Sequence, residues 1–236
     1  RTVSDISVSL FSSAGIGDLG IQYGCGLPVA VFSELLPARA NLIKSNFPNA
    51  IVVTGDIWEK VQEIVKSAKT KLSETYPKLI TMSPPCQGMS SNGKGRLNNE
   101  IKKGKLPKYD ERNRLILPSL EVVEELLPEY FLIENAPSMM DTEILLNDVP
   151  VKIGEVIEQR LSRNYKIYSF IQDFSKYGVP QSRIRSITIG KFTSNNESGI
   201  SYFPPTWFDT GSVSEVITLR QALFRHTRTS KTDLYH

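Results

Sequence analysis

The stretch Ile6-Ser7-Val8-Ser9-Leu10-Phe11-Ser12-Ser13-Ala14-Gly15-Ile16-Gly17-Asp18-Leu19-Gly20 runs an apolar, strand-like segment directly into a literal G-x-G-x-x-G over its last six residues. The mechanism of that pattern requires this placement, because glycines after a strand let the backbone approach a ligand at the amino end of the next helix. Outward from it, short apolar runs recur at 29–33, 50–53, 79–82 and 130–133, and helical stretches fall at 36–46, 57–72, 115–127 and 152–163. Such alternation predicts βαβ units, and so an α/β fold with a mostly parallel sheet. Two further strand-like runs, 165–171 and 184–191, flank the turn-prone Lys176-Tyr177-Gly178-Val179-Pro180. They predict a hairpin-like, antiparallel extension of the sheet.

Composition sets bounds and little more. The 236 residues, 40% hydrophobic and 22% charged, suffice for one large α/β domain or two small ones. A net charge of +3, from 28 Lys and Arg against 25 Asp and Glu, neither argues for nucleic acid nor opposes it. Cys25, Cys86, His226 and His236 leave no room for a zinc site built from thiolates and imidazoles. No metal is therefore expected, and a reducing compartment is. No run approaches the roughly 18 apolar residues of a membrane span, and no basic-then-apolar leader opens the sequence. A soluble, cytoplasmic protein without a membrane partner is the expectation.

The strand ends carry the chemistry. Glu34 closes the second strand and Asp56 follows the third in Thr54-Gly55-Asp56-Ile57. An acid at the first of these positions is placed to take both hydroxyls of a ribose, and one at the second to accept from an adenine amino group. Asp56 equally suits the N-cap of the helix that starts at Ile57, and the two roles are compatible. A nicotinamide dinucleotide and S-adenosylmethionine both fit such a cleft. After the fourth strand comes Ser83-Pro84-Pro85-Cys86-Gln87-Gly88, where two prolines fix the backbone that presents Cys86. A lone cysteine is otherwise a small buried hydrophobe. The fifth strand ends in Ile133-Glu134-Asn135-Ala136-Pro137, beside the cysteine if sequential strands are neighbours. In Gln181-Ser182-Arg183-Ile184-Arg185 the strand period puts Arg183 and Arg185 on one face, as an ordinary charged edge strand would also do. Thiol, carboxyl and paired guanidiniums together suit the addition of a thiolate across an electron-poor ring. Residues 91–108, rich in Gly, Asn and Lys, read as a loop that is either merely solvated or a lid that touches phosphates.

Taken in order from Leu10 to about Gly190, these motifs resemble the cytosine-C5 DNA methyltransferases. The resemblance rests on the 11–20 loop, Glu34, Asp56-Ile57, Pro84-Pro85-Cys86-Gln87, Asp110-Glu111-Arg112-Asn113-Arg114-Leu115, Glu134-Asn135-Ala136 and Gln181-Ser182-Arg183-Ile184-Arg185. It implies a Rossmann-like methyltransferase fold with S-adenosylmethionine along Phe11, Ser12, Ala14, Gly15, Ile16, Glu34, Leu35, Asp56, Ile57, Pro84 and Leu115. It also implies that Cys86 attacks C6 of a cytosine, that Glu134 holds N3 and the exocyclic amine, and that Arg185 contacts O2 while Arg183 steadies Glu134 and the thiolate. The target base would be flipped out of double-stranded DNA, with the basic 91–108 loop closing over it and Gln87, Ser90, Lys94 and Arg96 touching the nucleic acid. A restriction–modification role in a prokaryote, on nucleoid DNA, goes with that family.

Departures at Ser13, Ile16 and Ala136 are mild, since each side chain is small or apolar. The larger departure lies past Gly190. Residues 1–192 read as the catalytic domain and 193–236 as the lead-in to a target-recognition region, with the family's closing motifs absent. A second polypeptide, as in split members, or the remainder of a longer chain is expected to supply them. Three other readings stay open: a tRNA cytosine-C5 methyltransferase, a non-catalytic DNA-holding subunit of the same fold, and a nicotinamide dehydrogenase favoured only by the glycine loop.

Overall fold

The computed structural model describes residues 1–85, 89, 109–193, 199–206 and 218. Ten strands appear there: β1 (Val3–Leu10), β2 (Val29–Glu34), β3 (Ile51–Thr54), β4 (Tyr76–Met82), β5 (Tyr130–Asn135), β6 (Glu143–Leu146), β7 (Val149–Lys152), β8 (Tyr165–Asp173), β9 (Ile184–Phe192) and β10 (Ile200–Ser201). The helices are α1 (Ile16–Cys25), α2 (Pro37–Asn46), α3 (Ile57–Leu72), α4 (Ile116–Leu126) and α5 (Ile153–Leu161).

Eight strands form one sheet in the order β3-β2-β1-β4-β5-β9-β8-β10. Every neighbouring pair is parallel except those of β9, which runs against both β5 and β8. The expected antiparallel extension therefore exists, with its later strand inserted next to β5 and its earlier strand outside. β10 joins β8 from beyond residue 192, so the sheet draws its outermost strand from past the expected domain boundary. From β1 the chain winds through β2 and β3 to one side and through β4 and β5 to the other. That reversal opens a crevice at the carboxyl ends of β1 and β4, where open α/β sheets bind their ligands.

Helix amphipathicity explains the layers. In α3, Ile57, Val61, Ile64, Val65, Ala68 and Leu72 are buried at the three- and four-residue spacing of one helical face. They share a core with Leu120 and Val123 of α4, Ile153 and Ile157 of α5, and Val8, Val31, Ile80, Phe131 and Ile133 of the sheet. Strand alternation sends Phe32 the other way, into a second cluster with Val29, Ile43 and Phe47. A short hairpin, β6–β7, was not among the expected elements. Its two-residue turn, Asn147 and Asp148 at φ 49° and 65°, is the left-handed pair that tight hairpins use. No described helix is long and apolar enough to cross a membrane.

Gly190 faces Phe131 across the β5–β9 ladder, and a β-carbon there would fall within the Phe131 ring. Because Phe131 is fully buried, the ring has nowhere to retreat. Gly190→Ala is expected to destabilise the fold by about 3 kcal/mol. A urea unfolding midpoint equal to that of the parent would contradict this packing.

Candidate active site

The loop after β1 turns on three left-handed residues, Phe11 (φ 59°), Ser13 (φ 52°) and Gly15 (φ 79°). Gly15 combines that conformation with a close neighbour, since a β-carbon there would lie 2.8 Å from Phe47 Cε2. Gly15 is thus fixed by backbone and packing, and it lines neither cavity described below. The Ser13 amide donates to Glu34 Oε2 at 2.8 Å, and the Leu36 amide donates to Oε1 at 3.0 Å. Glu34 is buried, and its carboxylate is held by one amide per oxygen. Each oxygen retains a lone pair for a ligand. Asp56 caps α3, its Oδ1 accepting from the Trp58 amide at 3.0 Å.

Two adjoining cavities open at these strand ends. The larger, about 460 Å³, is lined by Phe11, Glu34, Leu35, Asp56, Ile57, Pro84 and Leu115 among others. The smaller, about 350 Å³, takes in Ser12, Ala14 and Ile16 together with Ser9, Asp18, Glu134 and Arg183. Phe11, Ser13, Ser83 and Glu134 border both. The residues expected along one cofactor therefore divide between two connected spaces, each within the usual size range of a small-molecule site.

Glu134 stands at the junction. Arg183 Nη2 and Arg185 Nε both lie 3.0 Å from its Oε1. Arg185 also donates through Nη1 to the Ile184 carbonyl at 2.8 Å, which fixes the guanidinium's orientation. Among the described residues nothing else engages Oε2, so one oxygen is held and the other is available. Next to it, Asn135 is almost fully buried. Its Nδ2 donates to the Pro84 carbonyl at 2.9 Å, and its Oδ1 accepts from the Ala136 amide at 2.7 Å. The end of β5 is thereby tied to the segment that leads into Cys86.

Residues 6–232 match the family of C-5 cytosine-specific DNA methylases. The chain belongs to that family. Among curated relatives it is 34% identical over 182 residues to the Type II methyltransferase M1.HgaI of Avibacterium volantium, covering 77% of this chain and 48% of the relative. It is 29% identical over 189 residues to the Type II methyltransferase M.AquIA of a Picosynechococcus strain, covering 78% and 70%. Among solved structures, one described as a candidate DNA modification methyltransferase encoded within an E. coli prophage superposes with a TM-score of 0.64 at 26% identity, covering 94% of this chain and 55% of that one. The chain thus spans about half the length of the first of these relatives and of the solved structure.

In this family member, Cys86, Gln87, Ser90, Lys94 and Arg96 lie outside the described residues, as does the 91–108 loop. The described part brings together Phe11, Glu34, Asp56, Glu134, Arg183 and the Pro84-Pro85 segment around the paired cavities. Two residues that the sequence reading did not single out for the site also belong there. Asn135 acts through its clamp on Pro84. Asp18, in the first turn of α1, is a buried carboxyl on the wall of the smaller cavity, and burial raises its pKa against an opposing hydrogen bond from Ser9. The available signal was an acid within the glycine loop, at a position that G-x-G-x-x-G leaves unspecified. Among the described residues no group of side chains could hold a metal ion.

Proposed function

We propose that this chain is the catalytic part of a restriction–modification DNA methyltransferase that places a methyl group on C5 of cytosine. The observation that carries the reading is the convergence of Arg183 and Arg185 on a single oxygen of Glu134, at the junction of the two cavities and beside the segment leading to Cys86. The larger cavity fits an adenosine: Glu34 offers two oriented acceptors for a ribose diol, Asp56 an acceptor for the amino group, and Leu36, Ile57 and Leu115 apolar walls for the purine. S-adenosylmethionine, when bound, supplies an electrophilic methyl group.

The protein's own groups make cytosine able to accept it. The Cys86 thiolate adds to C6, forming a carbon–sulfur bond and moving an electron pair toward C5. Glu134, its Oε1 fixed by two guanidiniums, gives an Oε2 proton to N3 as the ring takes up the electron pair, accepts from the exocyclic amine, and takes the proton back when the ring is restored. In this reading Arg185 contacts the cytosine O2, and Arg183 holds Glu134 in place. C5 then takes the methyl group, its proton leaves to a base, and the Sγ–C6 bond breaks to restore the aromatic ring. The cytosine is flipped from a duplex to reach this site, with Gln87, Ser90, Lys94 and Arg96 engaging the DNA.

Residues 1–192 carry this chemistry in our reading, and 193–236 lead toward target recognition. A second polypeptide or further chain supplies that recognition, a reading supported by the 48% coverage of the first relative. The site of action is nucleoid DNA in a bacterial cytoplasm. Incubation with labelled S-adenosylmethionine and either duplex DNA or tRNA tests the substrate class. Label is expected in DNA, and label confined to tRNA would overturn the reading.

A further inference from the structure

The smaller cavity contains an acid that the reaction above does not use. Asp18 is only 4% exposed, yet it lines that cavity. Its surroundings are hydroxyls rather than cations. Ser12 Oγ donates to Ser9 Oγ at 2.8 Å, and Ser9 is in turn hydrogen-bonded to the Asp18 carboxyl. Burial pushes the Asp18 pKa up, as expected for a carboxylate that lacks a counter-charge. The one cation on the cavity wall, Arg183, is engaged by Glu134. Glu134, the other acid there, already has two guanidiniums.

A carboxylate taken out of water is costly unless a positive partner arrives. The cavity's connection to the larger one through Phe11, Ser13, Ser83 and Glu134 determines what can arrive. A ligand with its adenosine against Glu34 and Asp56 extends its other end into this space. In S-adenosylmethionine that end carries an α-amino group, which is protonated at neutral pH. We propose that Asp18 anchors the α-ammonium of the cofactor, with the Ser12–Ser9 hydroxyl chain holding the carboxylate toward it. The inference rests on the methyltransferase reading and adds a selectivity element to it: adenosine recognition lies in one cavity, and aminoacyl recognition in the other.

The test compares S-adenosylhomocysteine, which has the aminoacyl end, with 5′-methylthioadenosine, which lacks it. Binding of each is measured calorimetrically with the full protein, as the parent and as Asp18→Asn and Asp18→Ala. Both substitutions are expected to weaken S-adenosylhomocysteine by about tenfold or more, the scale of one charge-assisted hydrogen bond. Methylthioadenosine should change by less than about twofold. Equal losses for the two ligands would make Asp18 a structural prop and overturn the inference, as would no loss for either. If the parent binds neither ligand, the methyltransferase reading itself fails. If it binds both equally well, that reading stands and the Asp18 anchor does not.

Discussion

Cys86→Ser is expected to lower methyl transfer to DNA by about 10³-fold or more, with cofactor affinity changed by less than about twofold. A hydroxyl of the same shape lacks the accessible anion and the intrinsic nucleophilicity of a thiolate, so addition to C6 becomes the barrier. Two of the described polar groups near the cavity junction are already engaged. Of the described polar groups at the cavity junction, Glu134 is held by Arg183 and Arg185, and the Ser83 hydroxyl lies 3.4 Å from the Phe11 carbonyl to which it donates. Single-turnover transfer of labelled methyl gives the chemical step directly. A serine variant within about tenfold of the parent would contradict covalent catalysis.

Glu134→Gln carries the second largest expected effect, a fall of about 10²- to 10⁴-fold in kcat, the range associated with a positioned acid–base group. The amide preserves the shape of the side chain and can still present its oxygen to both guanidiniums. Its nitrogen then faces the base, able to donate a hydrogen bond to N3 but not to deliver a proton. Binding contacts largely survive while the electron sink is lost, so KM for DNA is expected to stay within about threefold. A rise in KM with kcat unchanged would mean that Glu134 only binds the base, and would remove it from the chemistry.

Much of this site was legible in the sequence because its residues sit at strand ends, and strand ends are marked locally. The 57–72 helix was readable from its apolar face and from Asp56 before it, and Asp56 does cap α3. Arg185 lies in β9 as expected, whereas Arg183 stands one residue before that strand, and both reach Glu134. What local pattern could not supply was long-range pairing. β8 and β9 were readable as a pair, but the insertion of β9 between β5 and β8 is a tertiary choice, made where Gly190 lets the Phe131 ring pack beneath it. Gly15 was legible as a loop glycine, whereas its contact is Phe47 of a later helix end rather than a cavity wall. Asp18 occupied an unspecified position of its motif, so nothing local marked it as buried. The β6–β7 hairpin passed unread although Asn147-Asp148 marks its turn, since Pro150 weakens the second strand's pattern.

The central claim is that this chain forms a bond between Cys86 and C6 of a DNA cytosine. Duplex DNA with 5-fluorocytosine in place of cytosine tests it most directly, because fluorine at C5 cannot leave as the proton does and the adduct cannot resolve. Incubation with S-adenosylmethionine, followed by digestion and peptide mass analysis, should yield a methylated fluorocytosine joined to the peptide that contains Cys86. Methylation of ordinary cytosine DNA by an assembly that forms no such adduct, or an adduct at any other residue, would contradict the account.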